Sequence, residues 1–297
     1  MSTAPSASHP RLRRSVLYVP ASNARAMVKA WTLGADAIVF DLEDAVAPAA
    51  KADAREALAA HLAEHRLPGT EAVIRVNALN TADIEPDLEA VARCQPDAVL
   101  LPKVSSAEEL HDFALRAARL GVPAHTQLWA MVETAAGIAA LDSIVQAGAG
   151  LQPQLTCLVV GTNDIAKETG VSAGDGRLYL MPWLMNIVLV AKRRGVSVLD
   201  GVWNNFRDQP GFELETAQSM KMGFDGKTLI HPSQVEPANR HFSPSPEAVE
   251  DARRIVAAFS DPLHAASNVV NLDGRMVERL HFEQALRLLA IHARTAR

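Results

Sequence analysis

Four apolar runs of this chain each end on polar or charged groups. Ile38-Val39-Phe40 leads into Asp41-Leu42-Glu43-Asp44, Ala72-Val73-Ile74 into Arg75-Val76-Asn77, Leu128-Trp129-Ala130-Met131-Val132 into Glu133, and Leu158-Val159-Val160 into Gly161-Thr162-Asn163-Asp164. Two separate carboxylates, Glu133 and Asp164, suit magnesium. It is a hard octahedral ion usually held by one or two carboxylates, with water and substrate oxygens completing its shell. Arg75 suits a small oxyacid beside it, because a guanidinium forks onto a carboxylate or carbonyl oxygen. The cluster Asp41, Glu43 and Asp44 crowds three carboxylates into four residues and needs a cation or a proton nearby. Its expected place is behind the ligands, orienting Arg75 and metal-bound water.

Other readings stand beside these. Thr134 and Asp164 both stand where helices begin, so helix capping is the alternative for the two carboxylate segments. For Arg75, buried in an apolar strand, the alternative is a structural salt bridge to the acidic cluster. Lys103 follows an apolar run in the manner of a Schiff-base lysine, but a metal site already supplies the electron sink. His231, followed by Pro232, reads equally as a base and as the neighbour of a helix cap.

Residues of this kind at the C-terminal ends of several buried strands are how a parallel barrel builds an active site. Aliphatic runs at 16–19, 37–40, 72–76, 98–101, 127–132, 156–160, 196–199 and 227–230 are candidate strands, eight in number. They are continuous rather than alternating, as in a parallel sheet covered on both faces. Amphipathic stretches at 23–33, 49–63, 107–120 and 135–147 read as intervening helices. A doubly wound sheet would also alternate in this way, but the polar groups here close strands 2, 3, 5 and 6 and so lie around a ring. The expected fold is therefore an α/β, (β/α)8 TIM barrel over 13–243, with a tail at 1–12. A short C-terminal helical lid should occupy 244–297, with helices at 247–259 and from about Met276.

At 297 residues, 48% of them apolar, the chain can fill one large α/β domain with an appendage. A net charge of −5 without a basic stripe argues against nucleic acid. No apolar run is long enough for a membrane span. Cys94 and Cys157, far apart, read as reduced core thiols of a cytoplasmic protein, and residues 1–10 as a frayed tail.

At the segments 14–20, 41–48, 75–77, 101–104, 132–138, 161–166, 200–201 and 226–239 the chain resembles the citrate lyase beta-subunit-like branch of the HpcH/HpaI aldolase superfamily. That branch includes malyl-CoA and citramalyl-CoA lyases, and the likeness runs from Arg14 to about Ala290. It implies a (β/α)8 barrel, a homotrimer or hexamer, and a C-terminal lid that covers a neighbouring subunit's site. It also implies Glu133 and Asp164 as magnesium ligands, with Glu133 also touching substrate, and Arg75 as the residue that stabilises substrate and enolate oxygens. Lys29 matches a lysine that meets coenzyme A phosphates, and Tyr18 an aromatic residue near the CoA moiety. The family's general acid is a lid aspartate in a Gly-x-Met-Ile-Asp-like motif. The run here is Gly274-Arg275-Met276-Val277-Glu278, so Glu278 takes that place, with Asp273 nearby. Asn23 stands where the lyases often carry a phosphate-binding arginine, and Arg25 lies two residues on.

The expected activity is a magnesium-dependent carbon–carbon lyase. It would cleave a malyl-CoA- or citramalyl-CoA-type ester into glyoxylate or pyruvate plus an acyl-CoA, or run the Claisen condensation in reverse. The alternatives are a CoA-independent metal-dependent aldolase on a free oxyacid, and a weakly catalytic ligand-binding homologue.

Overall fold

The eight aliphatic runs pair in strict sequence order. In the computed structural model, which describes residues 11–261 and 267–295, they are β1 Ser15–Pro20, β2 Ala37–Asp41, β3 Glu71–Arg75, β4 Ala98–Leu101, β5 Gln127–Val132, β6 Leu155–Val160, β7 Ser197–Asp200 and β8 Gly226–Leu229. All neighbours are parallel, and β8 closes on β1 with Val16 opposite Thr228. The result is a closed (β/α)8 barrel. Its interior is a packed core, as such barrels require. Val16, Val39, Val73, Leu100, Trp129 and Val159 meet there, fully or almost fully buried. Cys94 and Cys157 are both buried free thiols.

Register fixes the chemistry at the strand ends. Asp41, the last residue of β2, is the register partner of Arg75, the last residue of β3. The helix at Ala107–Arg119 begins on Ser106, whose side chain accepts from the Glu109 N–H, and carries Glu108 and Glu109 in its first turn, which suits the helix dipole. The stretch expected as one helix at 135–147 is two, Ala135–Ala139 and Leu141–Gly148, because Ala140 departs from helical ψ.

Two compact units are present: Arg13–Asn239, and the residues from Arg240 onward together with Arg11 and Leu12. In the second unit, helices Pro246–Ser260 and Arg279–Thr295 enclose a small core of Ile255, Phe259, Val270, Val277 and Ala285. Between the helices lies an antiparallel hairpin, β9 Val269–Leu272 with β10 Arg275–Glu278. The final helix therefore starts at Arg279 and not near Met276, and this extension is not purely helical. The cause is the turn. Asp273 and Gly274 both take positive φ, 52° and 82°, the two-residue hairpin geometry that Asp-Gly favours. The tail expected at 1–10 lies outside the described residues. Among the described residues no helix is long and apolar enough to cross a membrane.

Candidate active site

The C-terminal ends of the strands surround a cavity of about 380 Å³, lined among others by Tyr18, Asp41, Asp44, Arg75, Glu133 and Asp164. Five elements that are distant in sequence thus bring their polar ends to one space.

Arg75 is only 8% exposed, and its guanidinium is held from three sides. Asp41 grips it bidentately: Nε donates to Oδ1 at 2.8 Å and Nη2 to Oδ2 at 2.6 Å. Nη1 lies 3.0 Å from Glu43 Oε2, and the guanidinium sits 5.0 Å from the centre of the Tyr18 ring. Both sequence readings of Arg75 are therefore compatible, since it is salt-bridged and still lines the cavity. A guanidinium has five N–H groups and Asp41 takes two. Burial works against the arginine's charge, but the Asp41 hydrogen bonds together with the charges of Tyr18, Asp41 and Glu43 outweigh it and hold the pKa above the ordinary value.

Asp41 also accepts the backbone N–H groups of Glu43 and Ala45, so its two oxygens are fully used in shaping the loop and aiming Arg75. Glu43 stands behind the cavity wall. Its Oε1 accepts from Lys103 Nζ at 3.0 Å, and burial pushes its pKa up despite Arg75 and Lys103. Asp44, whose side chain is 64% exposed, lies 3.7 Å from Arg75. The loop is propped from below by Lys51, a buried cation that donates to the carbonyls of Leu42 and Glu43 and to Asn77.

Glu133 is 2% exposed, and its Oε1 accepts the Lys103 N–H at 2.8 Å. Burial raises its pKa to about 7, with the negative charges of Glu43 and Asp164 adding to the effect. Asp164 is not a cap. It is the third residue of helix Thr162–Thr169, whose N-cap is Gly161, and its carboxylate makes no side-chain bond to a described residue. Thr134, by contrast, does cap, accepting from the Gly137 N–H.

A hard dication fits this donor set. Glu133 is a carboxylate whose ionisation is opposed first by burial and then by neighbouring negative charge, and a cation relieves that opposition. Among the described residues no group of three or more His, Cys, Asp or Glu is placed for a metal. The pair Glu133 and Asp164 would leave most coordination positions to water and substrate oxygens.

Other candidates fall elsewhere. Lys29 is exposed in the last turn of helix Ala24–Ala30 and is not among the lining residues, and Arg25 is exposed in the first turn of that helix. Asn23 caps that helix through the Ala26 N–H, a role arginine cannot fill. His231 forms a capping box with Gln234, and its Nδ1 faces Ser233, which favours the cap reading. Glu278 closes β10 in the second unit, its N–H donating to His281 Nδ1. Asp273 is in the hairpin turn. Sequence reasoning passed over Asn163 and Asn204, whose side-chain amides bond to each other at 3.1 and 2.8 Å on the cavity wall. Nothing in their residue type marks them.

A family model described as HpcH/HpaI aldolase/citrate lyase matches residues 14–232. A (3S)-malyl-CoA thioesterase of Cereibacter sphaeroides is 44% identical over 277 residues, covering 93% of either chain. The mitochondrial citramalyl-CoA lyase of Homo sapiens is 32% identical over 92% of this chain and 83% of its own. Among solved structures, the CitE protein of Mycobacterium tuberculosis in complex with magnesium, acetoacetate and coenzyme A superimposes with a TM-score of 0.75. It is 31% identical and covers 94% of this chain and 97% of its own.

Proposed function

The chain belongs to the HpcH/HpaI aldolase/citrate lyase family, and on that premise we propose that it is a magnesium-dependent enzyme that cleaves a malyl-CoA-type β-hydroxyacyl thioester. One observation carries the reading: Arg75, Glu133 and Asp164 line a single cavity at the strand ends. Glu133 and Asp164 are the residues that would hold the ion. When bound, the ion would supply Lewis-acid charge to the acid head.

The chain's own residues do the rest. In carbon–carbon cleavage a base takes up the hydroxyl proton and the bond to the thioester's α-carbon breaks. Glyoxylate or pyruvate forms from the head, and the electron pair passes to the acyl-CoA as an enolate. Arg75, fixed by Asp41, directs its remaining N–H groups at the thioester oxygen as charge develops there, an effect worth about 3 kcal/mol for one well-placed donor. Tyr18 supplies an apolar ring at the same wall. The resemblance assigns reprotonation of the enolate carbon to Glu278 of a neighbouring copy.

A second reading is favoured by the 44% relative: water adds across the thioester C–S bond and releases free coenzyme A. One assay separates the two. With magnesium and (3S)-malyl-CoA, cleavage of the carbon–carbon bond is expected to yield glyoxylate and acetyl-CoA by mass, whereas hydrolysis yields malate and coenzyme A. Neither pair appearing would sink the proposal and leave the CoA-independent aldolase or the ligand-binding homologue.

Glu278→Ala is expected to lower lyase turnover about 100-fold, the lower end for a general acid, while metal binding is unchanged. Glu278→Asp should keep most of the activity. Full turnover in the alanine variant would remove Glu278 from the mechanism.

A further inference from the structure

Two backbone features close on the carboxyl of Glu133. Lys103 has a left-handed backbone, φ 55°, which a non-glycine residue adopts only at a cost. In that conformation its N–H donates to Glu133 Oε1 at 2.8 Å. On β6's side, a Cβ at Gly161 would stand 2.5 Å from both Cβ and Oε2 of Glu133, closer than real Cβ contacts come. The side chain of Lys103 meanwhile reaches Glu43 Oε1 at 3.0 Å. One residue therefore ties the loop after β4 both to Glu133 and to the acidic loop after β2.

We propose that Lys103 is a positioning residue: its left-handed backbone aims an amide proton at Glu133 and, with the bare Cα of Gly161, holds that carboxylate in place for an ion shared with Asp164. The side chain's ion pair with Glu43 anchors the same loop to the acidic loop after β2. This rests on the reading of Glu133 as a metal ligand. It differs from a Schiff-base role, because the amide acts and the amine only anchors. It also explains a lysine that lines no part of the cavity yet sits beside it.

The test is binding of Mn2+ to the full chain, read by electron paramagnetic resonance, with circular dichroism as the check on folding. Lys103→Gly and Lys103→Val remove the same charge and differ mainly in how well they tolerate positive φ. The glycine variant is expected to bind within about threefold of wild type, and the valine variant about tenfold more weakly. Gly161→Ala, which crowds Glu133 from the other side, is expected to weaken binding at least as much as Lys103→Val. Equal affinity in the glycine and valine variants, whether both strong or both weak, overturns the backbone role. Wild-type protein that binds no Mn2+ rejects the metal-site reading itself, and this inference with it.

Discussion

Glu133→Gln is expected to cut metal-dependent turnover by about 10³-fold, the several kcal/mol that a bound dication contributes, while the barrel stays folded. The two halves of that result have separate causes. A glutamine oxygen can still accept the Lys103 N–H that now reaches Glu133 Oε1, so the local hydrogen bond survives. What disappears is the charge. In metal-free buffer that charge is a burden, since burial and the nearby Glu43 and Asp164 raise the carboxyl's pKa to about 7. For a carboxylate with a raised folded-state pKa, ionisation destabilises the fold from the ordinary value upward, and the cost is complete above about 7. At pH 8 the variant should thus melt at the same temperature as wild type or higher, and below about pH 4.5 the difference should vanish. Metal affinity runs the other way. Proton and dication compete for the same oxygens, so wild-type binding should weaken as pH falls below about 7, roughly tenfold per unit. The glutamine variant's residual binding should lack that dependence on the Glu133 proton. Calorimetric titration with magnesium at pH 6 and pH 8, beside a turnover assay, reads all of this. Undiminished turnover in Glu133→Gln would remove the residue from the metal site.

What the sequence made legible follows from the physics of each feature. The eight strands are short aliphatic runs buried on both faces, a pattern that the residue order displays, and their observed limits differ from the expected ones by at most one residue. Arg75 in an apolar strand announced a partner, because an unpaired guanidinium cannot be buried cheaply. Asp41 answers it across the β2–β3 register. The hairpin at the C-terminal end was less visible. Its Asp-Gly turn is a strong signal, but only Val270 and Val277 of its strands are buried, and the apolar spacing of the following helix was extended back over Met276. Asp164 illustrates a different limit. An acidic residue near a helix start reads as a cap, and only the observed limits of the helix place it three residues past the cap with its carboxylate unused. The left-handed backbone at Lys103 is hidden for a similar reason: lysine carries no preference for that conformation, so nothing in its type reveals an amide aimed at Glu133.

Asp200→Ala should produce the opposite pattern, a large loss of stability from a residue outside the cavity. Asp200 is completely buried at the end of β7, and so is Lys227 on β8, while Arg177 is 4% exposed. Arg177 Nη1 donates to both Asp200 oxygens at 2.8 Å, Lys227 Nζ donates to Oδ2 at 2.8 Å, and Ser219 and the Gly201 N–H complete the cage. Glu215 meets the same two cations, so two positive groups face two negative ones. Removing Asp200 leaves one buried cation uncompensated, a change that costs about 3–5 kcal/mol. At about 2–4 °C per kcal/mol for a chain approaching this size, Tm should fall by roughly 10 °C. Glu215→Gln, at the partly exposed edge of the cage, should lose less. The acid limb gives an independent check. Burial alone would raise the Asp200 pKa, but Lys227 and Arg177 outweigh it and hold it at about 2. A depressed carboxylate stabilises the fold above its ordinary pKa near 3.9, and that stability drains away as pH falls toward about 2. The alanine variant should therefore have lost the stability that wild type sheds across this window. Thr228, which lines the cavity, donates its hydroxyl to the Asp200 carbonyl, an interaction with the backbone that the substitution leaves in place. Turnover per folded molecule at 25 °C should accordingly survive. A Tm within about 2 °C of wild type would mean that this ion cluster does not hold β7 to β8.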